Sequence, residues 1–157
     1  MALTNDRIAF IGCGVMGEAM CKGLLREGLV KPEQIVVSHP REARRLELEE
    51  RYGVRTVASN ADAADEATVV ALCVKPQFLG EVLADLQHAV DRDALVMTIV
   101  AGVPLRRIAA ALEVPAVIRA MPNTPGQIGA GISVWTCTEA VGENDRERGR
   151  AILSALG

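Results

Sequence analysis

The sequence predicts an α/β fold, a single domain built on a doubly wound, mostly parallel sheet. Three observations predict it. Short apolar, β-branched runs alternate with amphipathic helical stretches. Several runs are apolar at consecutive rather than alternate positions, as expected of strands covered on both faces. The first run leads straight into Gly12-Cys13-Gly14-Val15-Met16-Gly17, a glycine-rich turn that opens a helix.

The elements follow in order. The first strand is expected over 7–11, and Met16, Ala19, Met20, Gly23 and Leu24 then recur at helical spacing until Gly28 ends the helix. A second strand over 34–38 precedes a helix over 41–52, supported by Glu47 and Arg51 at i, i+4 and stopped by Gly53. A weaker run over 54–57 predicts an edge strand, and 68–74 a fourth strand. Pro76 opens the next helix where its missing N–H costs nothing, with Phe78, Leu79, Val82, Leu83 and Leu86 as the buried stripe. Strands over 95–100 and 116–120 flank a helix opened by Pro104. Beyond the segment 129–135, a last helix begins near Asn144 and runs to the end. The sequence shows no internal repeat and no low-complexity linker.

Composition narrows the function. A chain of 157 residues suits one domain and should bury roughly 70% of the surface its unfolded form exposes. Half the residues are hydrophobic and 24% charged, as in an ordinary globular protein. A net charge of −3 argues against a nucleic-acid or acidic-membrane partner. The cleanest apolar run, Ala67–Val74, is far short of the roughly 20 residues of a membrane span. The start, MALTNDRIAF, has neither a basic n-region nor a cleavage site, so no secretory signal is expected. Cys13, Cys21, Cys73 and Cys137 lack metal-like spacing, which predicts no metal site, reduced thiols and a cytoplasmic location. With two Phe, one Tyr and one Trp there is no stacking surface for bases, and Val, Ile, Leu and Ala must build the core.

The glycine turn has the Rossmann-type pattern and context: it follows a predicted strand and opens a predicted helix. Gly12 allows the sharp exit from the strand, Gly14 lets the backbone approach a pyrophosphate, and Gly17 lets helix and strand pack closely. The N–H groups of the helix start, at Val15 and Met16, then face the phosphate charge. A plain tight turn is the alternative. An NAD-preferring site places an acid about 20 residues past the glycines. Here the second strand ends in Ser38, His39, Pro40 and Arg41, with Arg44 and Arg45 close behind and no acid before Glu42. These donors suit a 2′-phosphate, so NADP(H) is expected to be preferred over NAD(H), although part of the arginine cluster belongs to the solvated helix face.

Further along, VKPQ (74–77) places Lys75 at the carboxyl end of the fourth strand, where open α/β sheets bind ligands, or leaves it as a solvated lysine. VAGV (100–103) gives the next strand a glycine exit. In RAMPNTPGQIGAG (119–131), two prolines bracket Asn123 and Thr124, stiffening a loop that presents an amide and a hydroxyl.

Together IAFIGCGVMGEAM, ALCVKPQ, TIVAGV and VIRAMPNTPGQIGAG resemble the pyrroline-5-carboxylate reductase family, in order and spacing, over essentially the whole chain. The first of these is shared by many dehydrogenases; VKPQ followed by MPNTP is far more specific. The resemblance implies NAD(P)H-dependent reduction of 1-pyrroline-5-carboxylate to L-proline, the last step of proline biosynthesis. It places Gly12, Gly14, Val15, Met16 and Gly17 at the pyrophosphate, and Ser38, His39 and Arg41 at the adenosine ribose or its phosphate. Asn60, in the loop after the third strand, would lie near the adenosine. Val74, Lys75, Pro76, Ala101 and Gly102 would line the nicotinamide side, and Asn123 with Thr124 would orient nicotinamide or substrate.

Two departures stand out. The family often carries a polar residue at the position of Val15, and its members continue into a helical domain that forms the dimer and most of the substrate pocket. A homo-oligomer is therefore expected of a full-length protein. The single cofactor domain, 1–157, is expected to be inactive or nearly so alone, with the proton donor outside it. The residues agree: there is no Ser-His-Asp set, paired carboxylate or general acid for an imine, and His88 is most simply solvated. Two other readings remain open, a noncatalytic nucleotide-binding module and a related reductase such as a β-hydroxyacid dehydrogenase or a deazaflavin-dependent NADP reductase.

Overall fold

The computed structural model describes residues 2–157 and shows one seven-stranded sheet in the order β3-β2-β1-β4-β5-β6-β7. The strands are β1 (Ile8–Ile11), β2 (Ile35–Ser38), β3 (Arg55–Val57), β4 (Val69–Leu72), β5 (Leu95–Thr98), β6 (Val117–Pro122) and β7 (Ser133–Cys137). The first six run parallel, and β7 closes the sheet antiparallel to β6. This is the doubly wound Rossmann-type arrangement: from the central β1–β4 pair the chain winds outward in both directions.

The central strands β1 and β4 are apolar throughout because both faces are covered, whereas the edge strand β3 carries Arg55 and Thr56. On one face Ile8 and Phe10 pack with Met20 and Leu24 of α1 (Val15–Arg26) and Ile152 of α6 (Glu143–Ser154). On the other, Ala9 and Ile11 meet the helices α3 (Asn60–Ala64), α4 (Leu79–Leu86) and α5 (Leu105–Leu112). Large side chains such as Phe10, Leu24 and Leu86 are fully buried, each stabilising the fold by roughly 1.5–3 kcal/mol.

Several expectations are met closely. The helix α2 (Glu42–Tyr52) stops where Gly53 turns left-handed, at φ +68°. The short β3 lies at the sheet edge beside β2. Two expectations, at Pro76 and Asn60, need correction, and the C-terminal elements are defined more closely. Pro76 starts a three-residue 3-10 turn over Pro76–Phe78 and the α-helix begins only at Leu79, so Phe78 is 50% exposed rather than part of the buried stripe. Asn60 is not in a loop; it opens α3, capped by the Ser59 hydroxyl accepting the Asp62 N–H at 3.2 Å. The segment 129–135 leads into the antiparallel β7. The last helix starts at Glu143 and ends at Ser154.

A buried ion pair ties α6 to the sheet. Arg148 donates to Asp6, which precedes β1, at 2.5 and 3.2 Å, and to the Thr68 carbonyl at 3.1 Å. Thr68 in turn donates to Asp6 at 2.6 Å. All four cysteines are free thiols, and Cys13, Cys21 and Cys73 are buried beneath the glycine turn. Burial pushes the Cys13 and Cys21 thiols up to about 12, leaving them protonated and inert.

Candidate functional site

Parallel strands all point their carboxyl ends the same way, so the exits of β1, β2, β4, β5 and β6 gather along one edge of the sheet. There the order reverses between β1 and β4, the switch point at which open α/β sheets bind ligands. Gly12 leaves β1 at φ +71°, and a Cβ on it would lie 2.2 Å from Val74 Cγ1 at the exit of β4, so the chain itself demands glycine. Gly17 packs closely too, since a Cβ would come within 3.1 Å of Cys73 Cβ and push it by a few tenths of an ångström.

Gly14 differs. Its φ of −81° suits any residue, and the nearest atom to an added Cβ is the Cys73 carbonyl oxygen at 3.9 Å. It is exposed at the N-cap of α1 and has no side-chain cap. Nothing in the protein forbids a side chain there, yet the position stays bare beside the unpaired N–H groups of a helix start. That is the shape of an anion cradle, and it fits a dinucleotide pyrophosphate. Val15, 63% exposed, and Met16 follow it; Met16 also reaches the loop beyond β6, its Cε lying 3.1 Å from where a Cβ on Gly126 would sit.

At the end of β2, Ser38 is fully buried and donates its hydroxyl to Asn60 Oδ1 at 2.7 Å. It faces Asn60 instead of the cleft, so it orients that amide and is not free to meet a ribose. The Asn60 Nδ2 donates to Asp85 of α4 at 3.1 Å. His39 accepts the Arg41 N–H at Nδ1, 3.1 Å, which leaves Nε2–H as its outward donor. Burial, then Arg41, Arg44 and Arg45, lower its pKa, so the ring is neutral near pH 7. The Arg41 guanidinium is exposed and makes no hydrogen bond or ion pair among the described residues. Arg44 and Arg45 are committed to protein partners.

The remaining candidates line the other half of the edge. Val74 touches the glycine turn, and Lys75 and Pro76 are exposed at the start of the 3-10 turn after β4. Ala101 and Gly102, at φ +75°, form an exposed turn after β5, where the buried Thr98 hydroxyl accepts the Val100 N–H at 3.2 Å. Asn123 and Thr124 are exposed beyond β6. Asn123 Oδ1 accepts the Ile132 N–H at 3.0 Å, which turns its Nδ2 donors outward. An open cavity of 360 Å³ at the opposite edge is lined by Asp65, Glu66, His88 and Asp91 among others, an acidic set that repels phosphate.

Sequence reasoning missed two residues here. Glu18, in the first turn of α1, accepts hydrogen bonds from Arg44, Arg51 and Tyr52 at 2.6–2.8 Å. Burial alone would raise its pKa; those three donors outweigh it and hold the carboxyl at about 2. Asp85 is the other, a solvent-facing acid on α4 whose pairing with Asn60 has no local signal. Among the described residues no group of His, Cys, Asp and Glu is placed to hold a metal ion.

The site can be set beside known proteins. The family model described as NADP oxidoreductase coenzyme F420-dependent matches residues 7–102. A protein of Synechocystis sp. named pyrroline-5-carboxylate reductase is 42% identical over 96% of this chain and 56% of its own length. An Escherichia coli protein of that name is 37% identical over 90% of this chain and 53% of its own. The chain thus spans little more than half the length of these curated relatives. A solved pyrroline-5-carboxylate reductase of Coxiella burnetii superposes with a TM-score of 0.91 and 31% identity, covering 97% of this chain and 57% of that one. A Plasmodium falciparum pyrroline carboxylate reductase with NADP bound shares the fold, with a TM-score of 0.84 at 22% identity over 98% of this chain and 56% of that one.

Proposed function

The chain belongs to the NADP oxidoreductase coenzyme F420-dependent family, and on that premise we propose that it is the dinucleotide-binding part of a pyrroline-5-carboxylate reductase. In this reading it reduces 1-pyrroline-5-carboxylate to L-proline with NADPH, as part of a cytoplasmic homo-oligomer. The observation that carries the reaction is the 42% identity to a reductase of that name across 96% of this chain, which includes the Lys75 turn and the loop of Asn123. Cofactor binding is supported by the bare cradle at Gly14.

The nicotinamide, when bound, supplies the hydride to the C=N carbon. The protein's residues bind and orient. N–H groups of the Gly12–Gly17 turn hold the pyrophosphate, with the positive end of α1 behind them. His39 Nε2–H and the exposed guanidinium of Arg41 meet the 2′-phosphate; with no acid between Ser38 and Arg41 at the end of β2, NADPH is favoured over NADH. Asn60, its amide held by Ser38 and Asp85, directs its remaining N–H towards the adenosine. Val74, Lys75, Pro76, Ala101 and Gly102 line the nicotinamide side. Asn123 offers Nδ2 donors to the carboxamide or the substrate. The proton for the imine nitrogen comes from outside this chain. Met121, Ile128, Ile132 and Val134, exposed by 45–77% around that loop, support a further part of the protein closing over the substrate.

A second reading, hydride exchange between NADP and a deazaflavin, is favoured by the description of the matching family. That match stops at Gly102, before the Asn123 loop. One experiment separates the two. A chimera in which this chain replaces the matching part of the Escherichia coli relative should oxidise NADPH with 1-pyrroline-5-carboxylate. A chimera that folds and binds NADPH, yet reacts only with coenzyme F420, would overturn the proposal. In titrations of the chain itself NADPH should bind about tenfold or more tightly than NADH, as expected for a charged hydrogen-bonded phosphate. Equal affinities would remove the role given to His39 and Arg41.

A further inference from the structure

The three arginines after β2 have different partners. The Arg41 guanidinium is exposed and has no hydrogen-bond or ion-pair partner among the described residues. Arg45 donates to the carbonyls of His39 and Pro40 at 2.8 and 3.1 Å and so holds its own loop. Arg44 reaches away from the adenosine side, across to α1. Its Nη2 donates to Glu18 Oε2 at 2.6 Å and to the Cys13 carbonyl at 3.4 Å, and its Nη1 to Glu47 at 3.0 Å. The Arg44 side chain is 14% exposed and that of Glu18 19%, so this contact is largely shielded from water.

Two consequences follow from that placement. Glu18 sits one helical turn beyond the cradle, its N–H bonded to the Gly14 carbonyl at 2.9 Å. A bare carboxylate there would repel an incoming pyrophosphate. Arg44 and Arg51 cancel it, and with Glu47 the four side chains form a neutral network. The second consequence concerns the backbone. The peptide plane between Cys13 and Gly14 is held from both sides: its N–H donates to the Gly12 carbonyl at 2.9 Å, and its carbonyl accepts from Arg44. Fixing that plane fixes the direction of the N–H groups that follow at Val15 and Met16.

We propose that Arg44 is a positioning residue for the dinucleotide: anchored by Glu18 and Glu47, it fixes the glycine turn and cancels the Glu18 charge. It therefore serves NADPH and NADH alike, whereas Arg41 serves the 2′-phosphate alone. This division of labour rests on the reading that the glycine turn holds the cofactor's pyrophosphate.

The test is a set of dissociation constants for NADPH and NADH, with melting temperatures, for the wild-type chain, Arg44→Met, Arg44→Lys and Arg41→Met. Arg44→Met should weaken both nucleotides by a similar factor, about tenfold, and leave their ratio unchanged. Arg44→Lys keeps the charge opposite Glu18 but loses the fork, and should recover part of the loss for both nucleotides. Arg41→Met should weaken NADPH by about tenfold and leave NADH binding unchanged. A loss confined to NADPH in Arg44→Met would make Arg44 a phosphate ligand and overturn the proposal. Wild-type affinities with a lowered melting temperature would make it a structural brace and overturn it too. Should Arg44→Met fail to fold, the same comparison on Arg44→Lys decides, its two affinities falling together or not. A wild-type chain that binds neither nucleotide refutes the underlying cofactor reading; binding that is indifferent to Arg44 refutes this inference alone.

Discussion

Gly12 and Gly14 stand two residues apart and should respond to substitution in opposite ways. Gly12→Ala places a Cβ at φ +71° and 2.2 Å from Val74 Cγ1, combining left-handed strain with overpacking, at a cost of about 2–4 kcal/mol. A chain of this size should then lose roughly 5–15 °C of melting temperature. Gly14→Val meets ordinary space and should melt within a few degrees of wild type, while NADPH binding disappears on titration because the branched side chain fills the cradle. Tight NADPH binding by Gly14→Val would place the phosphate elsewhere. Glu18 supplies a prediction in pH. Its folded value, about 2, lies below the ordinary 4.5, so its contribution to stability is fully present above about pH 4.5 and is lost as pH falls towards 2. Glu18→Gln should flatten the melting temperature against pH across that window; an unchanged slope would show that the arginine cage contributes nothing. The positions at strand ends were legible in the sequence, since glycine and polar residues follow apolar runs. Their partners were not. Ser38 is polar at the right place yet turned inward to Asn60, and Asp85 lies 25 positions beyond that amide.

At the scale of elements, a buried ion pair joins the packing of Ile152 and Leu153 in holding α6 to the sheet. Asp6 and Arg148 are each 11% exposed in their side chains, so removing one partner strands a buried charge. Arg148→Met should destabilise the protein by about 3–5 kcal/mol in denaturant unfolding. The double change Asp6→Asn with Arg148→Met should recover much of that, because the more buried of the two carboxylates on Arg148 is then neutral, while Asp145, 23% exposed in its side chain, keeps access to water. A double variant no more stable than the single one would mean that the helix is held by packing, not by the pair. Close approach supports it from the other side: a Cβ on Gly23 of α1 would stand 2.4 Å from the Ala155 carbonyl oxygen just beyond α6. The long periodic helices and continuous apolar strands announce themselves because burial on one or both faces imposes a pattern. Three other pieces do not. The helix α3 is five residues long, too short for periodicity. The turn at Pro76–Phe78 is 3-10, so the stripe expected from Pro76 onward misplaces Phe78 by its different pitch. The strand β7 is half-exposed, alternates Ser133, Val134, Trp135, Thr136 and Cys137, and pairs antiparallel with β6.

For the whole molecule, the sheet order gathers the candidate residues on one edge. Because β1 and β4 are neighbours and the chain leaves them in opposite directions, the glycine turn, the His39–Arg41 loop and the turns after β4 and β5 are brought together from positions 12 to 102. That order was legible only as a class, since alternating strands and helices specify parallel winding but not which strands become neighbours. If ligand groups come from several strand exits at once, the nucleotide binds the folded sheet and not the unfolded chain, and it must stabilise the whole cooperative unit. At a free concentration a hundred times its dissociation constant, NADPH should add about 2.7 kcal/mol. For a domain of this length that corresponds to a rise of roughly 5–10 °C in melting temperature. NADH binding tenfold more weakly should, at the same concentration, add only about 1.4 kcal/mol and about half that rise. Adenosine 2′,5′-bisphosphate, which carries the 2′-phosphate without the nicotinamide, should stabilise the chain, and Arg41→Met should abolish its effect while leaving that of NADH. Stabilisation by NADPH that persists in Gly14→Val, or a bisphosphate shift indifferent to Arg41, would mean that the ligand sits outside the carboxyl edge of the sheet.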